Sequence, residues 1–306
     1  MEDYSLKLQK LLSATGWSQE TLAKHLDVSF VSLNSWVNQK ASPREAAREK
    51  IDELASEVLG ADAIDENRLK EMKKAAEATR CSARKLISDK TLLEHFTTSF
   101  TYHSNATEGS TMTEKDVEAV VFQNQTLKNR TSLEQREAIN HQTALYFLLD
   151  ELEEQGENFE FSVDLIKAVH LRLMNGIISD AGNFREHGVR IRGSFVPLAN
   201  YMKVPELVKL WSKKANEETL DKIHALASLH AEFERIHPFS DGNGREGRLL
   251  LFAMALKFGL VPPVLRKSRR LAYYKYLELA QTRDLSDPLE LFISEEIIST
   301  AEKLGI

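Results

Sequence analysis

Residues 237–248 form the segment that decides the fold and chemistry of this chain. They read His237-Pro238-Phe239-Ser240-Asp241-Gly242-Asn243-Gly244-Arg245-Glu246-Gly247-Arg248. An apolar run from Leu249 to Leu256 follows and is typical of a buried helix. A base, a carboxylate, a glycine-rich loop and two arginines thus stand directly before a helix, a combination suited to chemistry on a nucleotide phosphate.

Each residue type in this segment suits one part of a phosphate site. His237 titrates near neutrality and can accept a proton from an attacking hydroxyl. Asp241 offers the hard oxygen ligand that Mg²⁺ prefers beside phosphate oxygens and water. Gly242 and Gly244 permit backbone angles that turn successive N–H groups toward an anion, at the positive end of the following helix.

Two arginines complete the segment. Arg245 and Arg248 are three residues apart, so both can lean over the first helical turn toward the phosphates. The structural alternative is a helix-breaking loop with a satisfied histidine and solvated charges. Because that alternative requires many independent positions to agree by accident, the segment favours a catalytic phosphate site.

The segment resembles the signature of the Fic-domain family, His-x-Phe-x-(Asp/Glu)-Gly-Asn-Gly-Arg-x-x-Arg, with every fixed position filled. The resemblance covers about residues 90–300 and implies an all-α fold with one β-hairpin, called the flap. It implies transfer of AMP from ATP to a Ser, Thr or Tyr hydroxyl of a target protein, with Mg²⁺. The implied roles are base for His237, Mg²⁺ ligand for Asp241, and ATP binding for Gly242, Asn243, Gly244, Arg245 and Arg248.

A second pattern, Ser104-Asn105-Ala106-Thr107-Glu108-Gly109, is similar to the autoinhibitory helix of the same family. Ser104 and Glu108 are four residues apart on one helix face, and Gly109 suits the end of a helix. By itself the pattern fits a solvated helix end. The resemblance implies that Glu108 pairs with Arg248 and takes the space of the ATP γ-phosphate, so that ATP binds in a misaligned pose.

Residues 188–197 depart from the helical periodicity. Val189-Arg190-Ile191-Arg192 and Phe195-Val196 flank Gly193-Ser194, a two-residue turn typical of a hairpin. The resemblance implies a flap that holds the target segment, with Val189, Arg190, Ile191 and Val196 as the contact candidates; a purely structural hairpin is the alternative. Arg185, which leads into it, is expected to brace the loop by an ion pair.

The composition indicates an ordinary globular protein. The chain has 306 residues, of which 42% are hydrophobic and 28% charged, and only 7 prolines and 13 glycines favour a mainly helical fold. The net charge of −6 gives no general attraction to nucleic acid. The single cysteine, Cys81, excludes an intramolecular disulfide, and the start lacks a signal peptide. We expect a soluble cytoplasmic protein without a membrane partner.

Residues 1–60 are expected to form a separate helix-turn-helix domain. Two short helical patterns begin at Ser18 and Ser29, and they resemble the motif of Cro/repressor-type regulators. The resemblance departs at Asp27, where such motifs usually carry a left-handed glycine. The candidate DNA-reading residues are Ser29, Phe30, Ser32 and Asn34.

Charge restrains the DNA-binding interpretation. Residues 18–50 hold five Lys/Arg against four Asp/Glu, about +1, which predicts weak phosphate binding. A small helical module for protein contacts or dimerisation is the alternative. Residues 61–90 are expected to form a helical linker or entry helix, and residues 91–306 the catalytic domain. A homo-oligomer is a further possibility.

The alternatives to AMP transfer belong to different functional classes. The same fold can remove AMP from a modified protein, with Glu108 positioning a water, or can transfer another nucleotide. The chain can instead be a DNA-binding regulator whose Fic domain senses nucleotide. A metal-dependent hydrolase with His and Asp ligands is disfavoured because no second His/Asp cluster accompanies the first.

Overall fold

A computed structural model describes residues 4–58, 66–191 and 196–306, and in these ranges the chain is all-helical, with fifteen α-helices and no strand. The mainly helical fold predicted from composition and periodicity is thereby confirmed for the described residues. The helices are α1 (Tyr4–Thr15), α2 (Gln19–His25), α3 (Phe30–Val37), α4 (Glu45–Val58), α5 (Glu66–Ala78), α6 (Ala83–Ser88), α7 (Lys90–Thr107), α8 (Glu114–Val121), α9 (Ser132–Gln155), α10 (Val163–Leu173), α11 (Val204–Ala215), α12 (Lys222–Ile236), α13 (Asn243–Lys257), α14 (Arg270–Arg283) and α15 (Asp287–Leu304).

Side-chain caps mark where many of these helices begin. A short polar side chain accepts a hydrogen bond from a backbone N–H of the first turn, which satisfies a donor that the helix leaves free. Residues that cap in this way are Ser18, Ser29, Ser82, Asp89, Thr113, Thr131, Ser162 and Asp221. The caps expected at Ser18 and Ser29 are among them.

Helix α13 lies at the centre of the main core. The residues from Leu249 to Leu256 are all buried, so α13 is covered on every side. Its neighbours are α12, α9, α7 and α10. The loop 237–242 joins the end of α12 to the start of α13, so the signature segment is anchored between two core helices.

Aromatic stacking attaches α7 to this central helix. Phe96 and Phe100 of α7 stack on each other with ring centroids 5.5 Å apart, and both contact Phe252 of α13 at 5.5 and 5.6 Å. All three side chains are buried. Ser104 lies one turn beyond Phe100, so this packing determines where the end of α7 meets the start of α13.

Helices α1 to α4 have a hydrophobic core of their own. It contains Leu8, Leu11, Leu22, Leu33 and Ile51 among its buried members. Asp27, between α2 and α3, takes the left-handed conformation with φ 52°, and Lys50 lies 3.0 Å from its carboxylate. The turn geometry that usually requires glycine is therefore adopted by an aspartate.

Helices α5 and α6 pack on the main body. Helix α5 contacts α15 and α12, and Ala76, Cys81, Ala83 and Leu86 join the main core. Residues 66–88 thus pack against the main body, and the expected role of residues 61–90 as a helical linker or entry helix stays a prediction. Helix α4 in turn contacts α14.

The expected flap falls partly outside the described residues, because residues 192–195 are not among them. The described flanks, residues 188–191 and 196–200, have no regular secondary structure. The expected hairpin therefore stays a prediction. Across the three described ranges, we find no helix with the length and apolar character needed to cross a membrane.

Candidate functional site

His237 ends helix α12 in a left-handed backbone conformation, with φ 50°. Its N–H donates to Phe233 O at 2.9 Å, which closes the helix. A non-glycine residue at positive φ is uncommon, and such residues cluster at functional sites. The conformation turns the chain out of α12 at the residue expected to act as base.

The tautomer of His237 follows from one hydrogen bond. Its Nδ1 lies 3.1 Å from the backbone oxygen of Glu234, and because a carbonyl can only accept, Nδ1 carries the proton. Nε2 is then the basic nitrogen. Burial lowers the pKa of His237, and Arg185 lowers it further, while the Glu234 carbonyl and the charges of Glu108 and Asp241 act in the opposite direction.

The side chain of Asn243 holds the signature loop closed. Its Oδ1 accepts from the Phe239 N–H at 2.8 Å, and its Nδ2 donates to the Phe239 carbonyl at 2.9 Å. Phe239 is fully buried and stacks on His170 with ring centroids 3.6 Å apart. The side-chain amide of Asn243 therefore braces the loop, which leaves only the backbone of Asn243 for a ligand.

His170 positions the metal-ligand candidate, a role that the sequence did not indicate. The Gly182 N–H donates to its Nδ1 at 2.8 Å, so Nε2 carries the proton and donates to the Asp241 backbone oxygen at 2.9 Å. Burial lowers the pKa of His170 to about 4. A neutral, fixed imidazole thus holds the backbone of Asp241.

Arg185 braces the loop, but not by the expected ion pair. Its Nε donates to His237 O at 2.7 Å, Nη1 to His187 O at 2.8 Å and Nη2 to Ala199 O at 2.6 Å. The expected carboxylate partner is replaced by backbone carbonyls. The reason is geometric: a planar guanidinium with five donors can join three chain segments at once.

The helix after the loop begins at Gly242, whose φ of 79° is favourable only for glycine. A Cβ at this position would also lie 2.6 Å from the sulfur of Met174, so no side chain fits without movement. Since the first N–H groups of a helix have no intrahelical acceptor, those at the start of α13 are available to an anion.

Arg248 and Glu108 pair directly across the start of α13. Arg248 Nη2 lies 2.6 Å from Glu108 Oε1 and 3.0 Å from Ser104 O, and Nε donates to Ser104 Oγ at 3.0 Å. The Arg248 side chain is 1% exposed. A Cβ at Gly244 would collide with Glu108 Oε1, so this carboxylate lies against the first turn of α13, where an anion is favoured.

The charge of Glu108 is stabilised in this position. Burial alone would raise the pKa of Glu108, but Arg248 outweighs it through charge and hydrogen bonding, and the pKa is lowered. Helix α7 ends at Thr107, and Gly109 follows at φ 107°. The pairing that the resemblance implies is present as geometry, and its inhibitory effect stays a prediction.

Arg245 points to a different partner from Arg248. Its Nη1 lies 2.6 Å from Glu137 Oε1 on α9, and its side chain is 5% exposed. The two arginines that were expected to lean together thus reach toward α9 and α7 respectively. No sequence signal could identify Glu137, because it is 108 residues from Arg245 and belongs to an ordinary amphipathic helix.

The donor set suits Mg²⁺ held mainly by a substrate. The Asp241 side chain is 63% exposed, and its Oδ1 accepts from the Gly242 N–H at 2.6 Å. In the three described ranges, no group of three or more His, Cys, Asp or Glu side chains could hold a metal ion. One exposed carboxylate fits a Mg²⁺ ion that takes its remaining ligands from phosphates and water.

The four flap candidates line one surface cavity. Val189, Arg190, Ile191 and Val196 surround a volume of about 630 Å³ together with residues 197–201. Arg190 is exposed and the other three are half-buried. Both described flanks, residues 188–191 and 196–201, thus contribute to the lining of this cavity.

Tyr273 and Tyr274 of α14 differ in their exposure to solvent. Tyr273 is buried, with its hydroxyl 2.8 Å from His230 Nε2, so core packing is its role in this structure. His230 also contacts Gly247 O through Nδ1 at 3.2 Å. Tyr274 is 38% exposed, and its hydroxyl lies 3.5 Å from Thr107 O at the end of α7.

The DNA-reading candidates are mostly occupied within their own module. Ser29 Oγ caps α3 and lies 2.8 Å from Ser32 Oγ, while Asn34 Nδ2 donates to Gln19 Oε1 at 3.0 Å. Phe30 is 46% exposed. Of the four, Phe30 is the side chain that projects most clearly to solvent.

Comparison with known proteins agrees with this geometry. Residues 160–255, which include the whole signature segment, match the model of the Fic/DOC family. This part of the chain is similar to the Fic domain. The helices around that domain are also shared with solved structures. A segment of Fic-1 from Caenorhabditis elegans superposes with a TM-score of 0.67 at 22% identity, covering 96% of this chain and 97% of that one.

A second solved structure has a narrower overlap. It is a Fic domain containing signaling protein from Bacteroides thetaiotaomicron, with a TM-score of 0.62 at 21% identity, and it covers 78% of this chain and 95% of that one. At these identities the two structures establish the shared fold.

The curated relatives are named after an enzymatic activity. "Protein adenylyltransferase Fic" of Nematostella vectensis is 29% identical over 265 residues, covering 86% of this chain and 59% of that protein. "Protein adenylyltransferase fic-1" of Caenorhabditis briggsae is 31% identical over 189 residues, covering 61% of this chain and 37% of that protein. This chain therefore spans between about a third and three fifths of the length of these two relatives.

Proposed function

We propose that this chain is a protein adenylyltransferase that transfers AMP from ATP to a Ser, Thr or Tyr hydroxyl of a target protein. The observation that carries the proposal is the fixed tautomer of His237, which makes Nε2 basic in the loop that leads into the phosphate-suited start of α13. The names of the relatives support the same reaction.

In the proposed reaction, His237 Nε2 takes the proton from the target hydroxyl. The hydroxyl oxygen bonds to the α-phosphorus, the bond from that phosphorus to the bridging oxygen breaks, and pyrophosphate leaves. The N–H groups of Asn243 and Gly244 stabilise charge on the phosphates, because preorganised donors act best where charge develops, whereas the Gly242 N–H already donates to Asp241 Oδ1.

The remaining residues of the signature segment would neutralise the negative charge of the phosphates. Arg245, held by Glu137, and Arg248 would neutralise the phosphate oxygens. Asp241 would hold Mg²⁺, which supplies positive charge at the phosphates when bound. His170 keeps the backbone of Asp241 in place for this purpose.

The proposal includes autoinhibition by Glu108. Its carboxylate pairs with Arg248 and lies against the first turn of α13. A γ-phosphate would bind to the same two groups. The α-phosphate of a bound ATP would then lie out of line with the attacking oxygen. Since orientation alone can be worth several kcal/mol of barrier, this contact can hold the enzyme nearly silent.

The target segment is proposed to bind at the flap. Residues 188–191 are described without regular structure and line a surface cavity, so their backbone groups are candidates for pairing with an extended peptide. Strand addition of this kind makes modest demands on the target's side chains.

The direct test uses three proteins: the wild type, Glu108→Gly and His237→Ala in the Glu108→Gly background. Each is incubated with Mg²⁺, α-³²P-ATP and cell lysate, and the products are separated on a denaturing gel. We expect label on protein with Glu108→Gly, little with wild type and none without His237. Parallel reactions with γ-³²P-ATP distinguish AMP transfer from phosphorylation, because only the α-label is retained after AMP transfer.

The alternatives have distinct outcomes in the same system. Loss of label from a pre-modified target would indicate AMP removal. Label only from another α-labelled nucleoside triphosphate would indicate a different donor. Absence of label with every donor, while nucleotide still binds, would contradict transferase activity.

A second candidate is DNA binding by residues 1–60. The left-handed turn at Asp27 between α2 and α3 favours it, since the helix-turn-helix motif depends on that turn. A gel shift with the promoter region of the chain's own gene tests the idea, with Phe30→Ala as the variant. An unshifted promoter at low salt would leave the module a role in protein contacts.

A further inference from the structure

Glu234 is a buried carboxyl without a full set of partners. Its side chain is 5% exposed, and its Oε1 has no hydrogen-bond partner among the described residues. Its Oε2 lies 3.9 Å from His237 Nδ1. A Cβ at Gly247 would collide with Oε1, so the absence of a side chain at Gly247 makes room for this carboxyl beside the start of α13.

The side chain of Arg248 is also buried, and its positive charge acts on the Glu234 carboxyl. Its Nη1 has no hydrogen-bond partner among the described residues, and its ion pair is with Glu108. If Glu108 leaves, the positive charge of Arg248 stays in the core without that carboxylate. A buried charge that loses its partner is strongly disfavoured, so another negative group must compensate it.

The carboxyl of Glu234 responds to both of these residues. Burial raises its pKa to about 7, Arg248 acts to lower it, and the negative charge of Glu108 raises it. The proton on Glu234 is therefore retained in part because Glu108 is present. Removing the charge of Glu108 favours the ionised form of Glu234.

Of the groups around Glu234, Arg248 and Glu108 are the charged ones that alter its protonation. Burial raises the pKa values of Tyr273 and Glu246 well above their usual ranges and lowers that of His230 to about 3, so these side chains are neutral near pH 7. The titratable and charged groups that face Glu234 are Glu108 on α7, His230 and His237 on α12, Glu246 and Arg248 on α13, and Tyr273 and Tyr274 on α14.

We propose that Glu234 is a reserve counter-charge for Arg248. Its carboxyl holds a proton more tightly while another negative group lies on Arg248, and it gives up that proton more readily while none does. Glu108 is that group in the present structure. Glu234 thereby allows Glu108 to leave without stranding a buried cation, and so it is a positioning residue for the inhibitory contact.

A consequence for nucleotide rests on the proposed function. Where the charge of Glu108 is absent, a γ-phosphate placed on Arg248 would restore a negative group there, so the ionised Glu234 would take up a proton as a nucleoside triphosphate binds. A nucleoside diphosphate, which has no γ-phosphate, would bind without this uptake. Proton uptake thus reports the position of the terminal phosphate.

The first test needs no nucleotide. Full-length protein labelled with ¹³C at glutamate carboxyls is titrated by NMR, with Glu234 assigned through backbone-correlated spectra and checked by Glu234→Gln. Glu108→Gln, which keeps the side-chain volume and removes the charge, should lower the midpoint of Glu234 by about one pKa unit. Glu137→Gln, which removes the partner of Arg245, is the matched control and should leave the midpoint unchanged.

An equal midpoint in wild type and Glu108→Gln, or an equal shift with Glu137→Gln, would overturn the proposal. The second test is calorimetry of Glu108→Gln with Mg-ATP and Mg-ADP in two buffers of different ionisation enthalpy. Proton uptake with ATP alone, lost in Glu108→Gln/Glu234→Gln, is expected. Binding of ATP without uptake overturns the nucleotide step, whereas failure of ATP to bind contradicts the proposed function and leaves the NMR result to decide on Glu234.

Discussion

Arg185 donates through Nε to the backbone oxygen of His237 at 2.7 Å, so a residue at the entrance of the flap segment holds the proposed base in its left-handed conformation. The same guanidinium reaches His187 O and Ala199 O. One buried side chain therefore couples the proposed target-binding segment to the candidate catalytic loop. Such coupling explains how a residue without contact to the reacting atoms can matter to the reaction.

Replacement of Arg185 by glutamine should damage both stability and activity. Three backbone carbonyls would lose their donors, and we expect the free energy of unfolding to fall by about 2–4 kcal/mol. Denaturant unfolding measures this loss. Arg235→Gln is the matched control, because Arg235 is exposed two residues before His237. Equal stability of the two variants would show that the carbonyl contacts contribute little.

Glycine in place of Glu108 should activate the enzyme. The change removes the carboxylate that pairs with Arg248 at 2.6 Å, so we expect target labelling to rise at least about tenfold with ATP binding retained. Initial rates of AMP transfer at saturating ATP provide the measurement.

Glu114→Gln serves as the control for that activation. Glu114 begins α8, six residues beyond Glu108, and its side chain is 54% exposed. Its replacement should leave the rate near that of wild type. Equal rates for Glu108→Gly and wild type would contradict autoinhibition by this residue.

The pH dependence of transfer should extend to unusually low pH. His237 acts as base only when neutral, and burial lowers its pKa below 6.5. In Glu108→Gly the charge of Glu108, which raises this pKa, is lost and that of Glu234 takes its place, so burial still decides the direction of the shift. In that variant kcat/KM should stay level as pH falls from about 8 to about 6.5 and decline only below it. An acid limb centred at or above pH 6.5 would argue against His237 as the titrating group.

Asparagine in place of Asp241 should increase the Mg²⁺ requirement. The side chain is 63% exposed and its role in packing is small, so the fold should persist. We expect the Mg²⁺ concentration for half-maximal transfer to rise roughly tenfold or more, because an amide oxygen replaces a charged ligand.

Asp180→Asn is the control for the metal experiment. Asp180 is a neighbouring carboxylate that accepts from Ser240 Oγ at 2.5 Å. Its loss should change the Mg²⁺ dependence little. If both variants or neither shift the titration, Asp241 is not the dominant protein ligand.

The helical fold was predictable because its signals are local. Capping residues at Ser18, Ser29 and Thr131 satisfy donors of their own helices, and periodicity of three and four defines the buried faces. Helix α11 shows this spacing, with Val204, Val208, Trp211 and Ala215 buried. Helix α12 begins at Lys222 because Asp221 caps it.

The partners of the site residues were harder to predict. The patterns around Ser104 and Arg248 suggested a contact only through the family resemblance, since 144 residues separate them. Nothing in the sequence indicated that Glu137 meets Arg245, that His170 holds Asp241, or that Arg185 binds carbonyls instead of a carboxylate. Such contacts depend on how helices pack, and helix packing depends on many side chains at once.

The sequence alone indicated the mainly helical character, the position of the proposed phosphate-binding loop before α13 and the chemical types of the candidate catalytic groups. These depend on short-range physics: helix propensity, capping and the backbone freedom of glycine. Only the tertiary structure decided which charges meet, which imidazole nitrogen is basic and which carboxyls are buried beside Arg248. Those properties arise from burial and from contacts between distant segments, which set the local dielectric and hence the protonation of each group.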